Sequence, residues 1–191
     1  MLAMFNVPLI YQAVTNWEYH PKGDISRGQC ICGQAFSFRG PKKVSEELRI
    51  PGPPNERLGE VIRKVYQQTG LPISAQGEIV QSEALSGIHV EKAIFHHHIS
   101  GKYVSCYEIE TQTWKWMQEN SWTRVIIATH PLLVWRMQKV FEKLGAEVII
   151  PPGLEVVGYD PKGTQWRAHN ETYWRTYEFL ARGHHVLMNW I

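Results

Sequence analysis

The stretch 124–151 constrains the fold of this 191-residue chain more than any other. Arg124-Val-Ile-Ile-Ala-Thr129 is a continuous apolar run, the pattern of a strand covered on both faces. Pro131 suits the first turn of a helix, where its missing N–H costs nothing, and Gly145 is placed to end that helix after Leu144. Ala146-Glu-Val-Ile-Ile150 then reads as a second strand. A strand, a helix and a strand in that order make a parallel pair joined by a right-handed crossover. The expected architecture is α/β: a Rossmann-like three-layer sandwich around a mainly parallel central sheet.

Other segments fit that frame. Gln29–Phe36 is short and apolar, as a first buried strand would be, and the proline- and glycine-rich residues 40–54 preclude one continuous element. From Asn55, a candidate cap, Leu58, Val61, Ile62, Val65 and Tyr66 form a helical stripe that Gly70 stops. Leu71–Ser74 reads as a strand breaking at 75–77, and 82–92 as a further helix. Gly101 suggests a turn, 103–107 alternates like a strand, and Glu110–Glu119 reads as a helix. Asn170 to about Met188 has the spacing of a terminal amphipathic helix. Residues 1–27 form an extension packed against a single domain over 28–191.

Composition narrows the function classes. With 20 Lys+Arg against 18 Asp+Glu and no long basic run, the chain lacks the clustered basic stripe of a nucleic-acid surface. No stretch approaches the roughly 20 apolar residues that span a bilayer, and no basic residue precedes Lys22 to begin a secretory signal. A cytoplasmic location is expected. Cys30 and Cys32 have strand spacing rather than the usual zinc spacing, so they read as buried, reduced thiols. Seven of the eight tryptophans follow residue 113, and most of them suit a core.

Phosphate-loop, dinucleotide, zinc-protease and nucleophile-elbow motifs are absent. In an open α/β sheet the ligand lies outside the carboxyl ends of the strands. Here those ends are Gly33–Gln34, Ser74–Gly77 and Thr129–His130. Thr129-His130-Pro131 puts a hydroxyl and an imidazole where strand becomes helix, with Arg136 following, so the group could hold a phosphate or carboxylate. His130 could equally serve as an acid or base, or merely cap the helix. Glu108 and Glu110 are either paired carboxylates or N-terminal helix charges. His96-His97-His98 offers two same-face ligands on a strand, at His96 and His98, short of the set a metal needs unless His89, His184 or His185 joins them.

Read in order, these junctions resemble the bacterial YdcF-like family, which includes SanA and ElyC. The resemblance covers about 28–191 and is carried by Ile31-Cys32-Gly33, Arg57-Leu58 through Gly70-Leu71-Pro72, Ser74-Ala75-Gln76-Gly77, Ser82-Glu83-Ala84, Glu108 through Thr113, and Ala128-Thr129-His130 with Arg136. Ala75 and Gln76 depart from the family's double glycine, Gln112 stands for its usual Asn, and Lys115-Trp116 replaces a Glu-Asn pair. The family's helix-borne His falls at Leu133, one turn after His130.

The resemblance implies a Rossmann-like domain that binds a small anionic or nucleotide-derived ligand at the strand ends. S-adenosylmethionine is one such ligand, attributed to a member of the family. Mapped onto this chain, it makes His130 and Glu108 the catalytic candidates if the protein is an enzyme. Gly33, Ser74, Gly77, Glu83, Glu110, Thr113, Thr129 and Arg136 become the ligand-binding candidates, and no residue is assigned to a metal. Trp116 would turn a polar pocket wall apolar. Two other classes stay open: a metal-assisted hydrolase using His96–His98, and a non-enzymatic interaction module.

Overall fold

The computed structural model describes residues 7–40, 49–100, 102 and 104–191. The expected turn at Gly101, the start of the strand expected at Tyr103 and most of the loop 40–54 lie outside these residues. Among the described residues, five strands form one sheet: β1 (Cys30–Gly33), β2 (Ile73–Gln76), β3 (Lys92–Ile94), β4 (Arg124–Ala128) and β5 (Glu147–Ile149). Their order is β3-β2-β1-β4-β5 and every pairing is parallel. Six α-helices of the described residues accompany them: α1 (Val7–Thr15), α2 (Pro53–Thr69), α3 (Gly77–Val80), α4 (Cys106–Glu119), α5 (Pro131–Leu144) and α6 (Glu171–Leu187). The fold is the Rossmann-like α/β sandwich that the 124–151 unit implies.

The two faces of the sheet follow from the period of two along a strand. Cys32 and Ser74 are paired neighbours in β1 and β2, and both hydrogen-bond the Thr113 hydroxyl of α4, at 3.4 and 2.8 Å. Gly33, one residue on, faces the other way. A Cβ there would stand 2.7 Å from Ile62 Cδ1 of α2 and 3.3 Å from Ile79 Cδ1 of α3. Helix α5 begins at Pro131 and ends at Gly145, whose φ of 103° is the left-handed stop its lack of a side chain permits.

Several boundaries differ from the sequence reading, each for a local reason. Strand β1 stops at Gly33 rather than Phe36 because the next amides find side-chain acceptors: Ala35 N donates to Gln76 Oε1 (3.1 Å) and Phe36 N to Asn55 Oδ1 (2.8 Å). Asn55 therefore does not cap α2; Gly52 does, with proline in the first turn. Strand β2 begins after Pro72, which has no N–H for the ladder, and runs through Ala75 and Gln76. The helix expected over 82–92 is a single 3-10 turn, Glu83–Leu85, followed by Gly87 at φ 77° and then by β3. The strand expected over 103–107 gives way to α4, because Ser105 caps that helix by accepting from Glu108 N at 3.2 Å.

The N-terminal segment adheres through backbone and side-chain bonds. Lys22 and Ile150 form an antiparallel bridge (2.9 and 2.8 Å) beyond the end of β5. Arg182 of α6 donates to Ala13 O (3.1 Å) and Asn16 O (2.6 Å), while its guanidinium stacks 4.2 Å over the Trp17 ring. The packing at Gly33 yields a direct test. Gly33→Ala should destabilise the protein by about 1–3 kcal/mol through overpacking against Ile62 and Ile79, read as a lower denaturant midpoint at unchanged slope.

Candidate functional site

The sheet order reverses between β1 and β4, because the chain leaves β1 for β2 and β3 before returning to β4 on the other side. At such a switch point the loops leaving the two strands diverge and open a crevice. A cavity of about 420 Å³ lies beside it. Ala35 and Ser37 line it from the loop after β1, Gln76 from the end of β2 and Glu78 from α3. Ser105 and Cys106 come from the start of α4, Leu133 and Arg136 from α5, and Trp174, Tyr177 and His185 from α6.

The strand ends carry polar side chains that are buried without partners. Thr129 is fully buried and its hydroxyl makes no hydrogen bond; both amide atoms of buried Gln34 are in the same condition. His130 caps α5, its Nδ1 accepting from Leu132 N at 3.3 Å. The proton of the neutral ring therefore sits on Nε2, which has no acceptor. Phe36 stacks on the ring at 3.9 Å, and burial pushes the imidazole pKa down to about 3. At neutral pH His130 is thus a neutral N–H donor, not a base. Both oxygens of Glu110 are also buried and unpartnered. Burial foremost, and Glu178 nearby, push its pKa well above the ordinary value against the pull of Arg136.

Other expected residues have different duties. Arg136 is buried, and its Nε and Nη2 each donate at 2.9 Å to the Glu178 carboxylate, so the charge expected to meet an anion is already paired. Ser74 and Thr113 bond each other beneath the site. Gly77 lacks a side chain because a Cβ would stand 2.4 Å from the Phe95 ring. Glu83 is exposed on the 3-10 turn, whose amides at Glu83 and Ala84 donate to the Glu56 carboxylate of α2 (3.3 and 3.2 Å), away from the cavity. Trp116 packs edge-on against Trp122 at 5.0 Å and is not part of the cavity wall; Trp174, Tyr177 and Trp190 are.

Glu108 belongs to a separate cluster. His98 N (2.8 Å), His98 Nδ1 (2.8 and 2.9 Å), His97 Nε2 (3.3 Å) and Gln112 Nε2 (2.6 Å) surround its carboxylate. Burial opposes the charge, but the His98 amide, Gln112 and the His98 ring outweigh it, and the pKa falls below 4.5. His97, His98 and Glu108 present ligand atoms within 4.8 Å of one another, whereas His96 is not among them. Ile99 N donates to His97 Nδ1 at 2.9 Å, which puts the neutral ring's proton on Nε2, the atom a metal would need. The geometry is that of a hydrogen-bonded latch between the His96–His98 loop and α4.

Sequence reasoning gave no ligand-site role to Gln34, Ser37, Asn55, Cys106, Trp174 or His185, although it placed Gln34 at a strand end, Asn55 at a helix start and His185 among possible metal ligands. Cys106 is no nucleophile at neutral pH: burial, Glu110 and Glu178 raise its thiol pKa against Arg136. Burial likewise pushes the Cys32 thiol up to about 12.

Two pH experiments follow. The folded state refuses the proton that His130 accepts in the unfolded chain below its ordinary 6.5, so stability falls as pH drops from 6.5 towards 3. His130→Asn, which keeps a capping side chain, should flatten that slope by up to ~1 kcal/mol per pH unit in denaturation series. Glu108 acts with the same sign in a lower pH window: its depressed pKa stabilises the fold above 4.5, and that contribution is lost as pH falls below 4.5. Glu108→Gln should therefore cost on the order of 1 kcal/mol at pH 7 and less below pH 4.5.

Comparison with family profiles, with curated proteins and with solved structures finds no match to this chain.

Proposed function

We propose that the protein binds a small anionic or nucleotide-derived ligand, S-adenosylmethionine being one candidate through the YdcF-like resemblance, at the carboxyl ends of β1, β2 and β4. The observation that carries this reading is the concentration of buried, unpartnered polar atoms in neighbouring residues, none of which lines the cavity itself: Gln34 Oε1 and Nε2, Thr129 Oγ1 and His130 Nε2 at the ends of β1 and β4, and both Glu110 oxygens on α4. A buried polar group without a partner costs about 1–3 kcal/mol. Several at one switch point, beside a cavity of small-molecule size, suit a site that a ligand completes.

Binding is supported more than chemistry. His130 is a neutral donor and Glu108 is committed to its latch, so neither is placed as the general base. The metal-assisted reading has the convergence of His97, His98 and Glu108 in its favour and the Ile99 amide against it. The interaction-module reading has less support, since Trp166 is the single exposed tryptophan among the described residues.

A thermal-shift series with S-adenosylmethionine, nucleotides and sugar phosphates tests the proposal. At least one should raise the unfolding midpoint of the wild-type protein. Thr129→Val should weaken that response while leaving the free protein within about 1 kcal/mol of wild type, because it removes a hydroxyl that bonds nothing. A wild-type protein unmoved by the whole series would overturn the reading.

A further inference from the structure

The walls of the cavity carry their own unpartnered groups, apart from those at the strand ends. Ser37 Oγ, Trp174 Nε1 and His185 Nδ1 are buried without a hydrogen bond, in residues only 6%, 4% and 5% exposed. Each has a hydrogen to give. An indole nitrogen can only donate, and a hydroxyl turns its hydrogen towards an acceptor. For His185 the neighbour decides: Arg136 Nη1 stands 3.2 Å from Nε2, and a guanidinium has only donors, so Nε2 accepts and Nδ1 carries the proton.

Ser37 is also held where serine is rarely found. Its φ of 66° lies in the left-handed region, unfavourable for a residue with a side chain. Fully buried Asn55 enforces it, accepting from Phe36 N and donating to Ser37 O, both at 2.8 Å. Gly163 makes room for the hydroxyl, since a Cβ there would stand 2.5 Å from Ser37 Oγ. Strain kept in place by two bonds from a buried amide, in a cavity-lining residue whose hydroxyl is unused, suits a preformed ligand contact.

The charges on the same wall do not compete. Arg136 is matched by Glu178, and Glu78 pairs with Arg49 at 3.0 Å. Arg167 also lines the cavity, its guanidinium 4.4 Å from the centroid of the Tyr177 ring.

Resting on the reading of this cavity as the ligand site, we propose that Ser37 Oγ–H, Trp174 Nε1–H and His185 Nδ1–H form its oxyanion subsite, holding a phosphate or carboxylate group of the ligand. The subsite places the anion between the loop after β1 and helix α6, rather than at Thr129 and Arg136, where the sequence reading put it.

The test uses the full chain, with inorganic phosphate, acetate and adenosine as probes in calorimetric titration and thermal unfolding. Phosphate or acetate should bind the wild-type protein, and which of them binds identifies the oxyanion. Ser37→Gly and Trp174→Phe should each weaken that binding about tenfold, the worth of one hydrogen bond. Ser37→Gly should at the same time raise the midpoint of the free protein by about 2–4 °C, since glycine tolerates the positive φ; this separates a lost contact from a lost fold. Oxyanion binding unchanged in both variants would overturn the subsite and leave the cavity reading intact. So would binding of adenosine with neither oxyanion. A wild-type protein that binds none of the probes would overturn the subsite, while the wider ligand series would still decide the cavity reading.

Discussion

The ion pair between Arg136 and Glu178 is the contact on which the packing beside the strand ends depends. It is bidentate and buried, and it fastens α6 to α5 across the mouth of the switch point. Breaking such a pair by removing one partner typically costs about 3–5 kcal/mol, because the other charge is stranded in a low-dielectric interior. Glu178 also accepts from Arg182 at 3.2 Å, and Arg182 reaches Leu132 O and the carbonyls at the end of α1. One carboxylate thereby ties together the helix after β4, the terminal helix and the N-terminal segment. The cavity wall contributed by Trp174, Tyr177 and His185 exists because α6 is held there.

On the opposite wall the constraint is one of backbone accounting. Chain leaving a sheet must find new partners for its amides. After β1 the Gln34 amide still bonds Ala128 O, and the next two turn to Gln76 and Asn55. The loop is thereby fixed by side chains from β2 and α2, and Ser37 is carried into a conformation it would not choose alone. In the proposed site a loop held by side chains faces a clamped helix, and fixed donors bind at a lower ordering cost than mobile ones.

The residues that resemble the YdcF-like family divide on inspection into two kinds. Gly33, Gly77 and the Ser82-Glu83-Ala84 turn serve packing: two glycines fit against Ile62 and Phe95, and the turn is capped by Glu56. Thr129, His130 and Glu110 remain buried with unused hydrogen-bonding capacity. The same local sequences thus mix scaffold and site, and spacing alone does not distinguish them. Ser105-Cys-Tyr-Glu108 was a readable start signal for α4, with the serine side chain capping the Glu108 amide; the alternation over 103–107 masked it.

By itself the sequence determined the class of fold. The apolar run of β4, Pro131, Gly145 and the apolar run of β5 are local signals whose physics is complete within a few residues, and a parallel strand–helix–strand unit follows from them. It also located the strand ends, because chain direction and the period of the elements place Gly33, Gln76 and Thr129 at one edge of the sheet. Tertiary structure alone decided what those ends can do. Arg136 is an available cation in the sequence and a spent one in the fold, since Glu178 lies 42 residues away in the chain and 2.9 Å away in space. His130 is titratable as a residue and held neutral by its burial among Phe36, Tyr159 and Trp174. Desolvation and long-range pairing set charge and tautomer, and neither is written in local sequence.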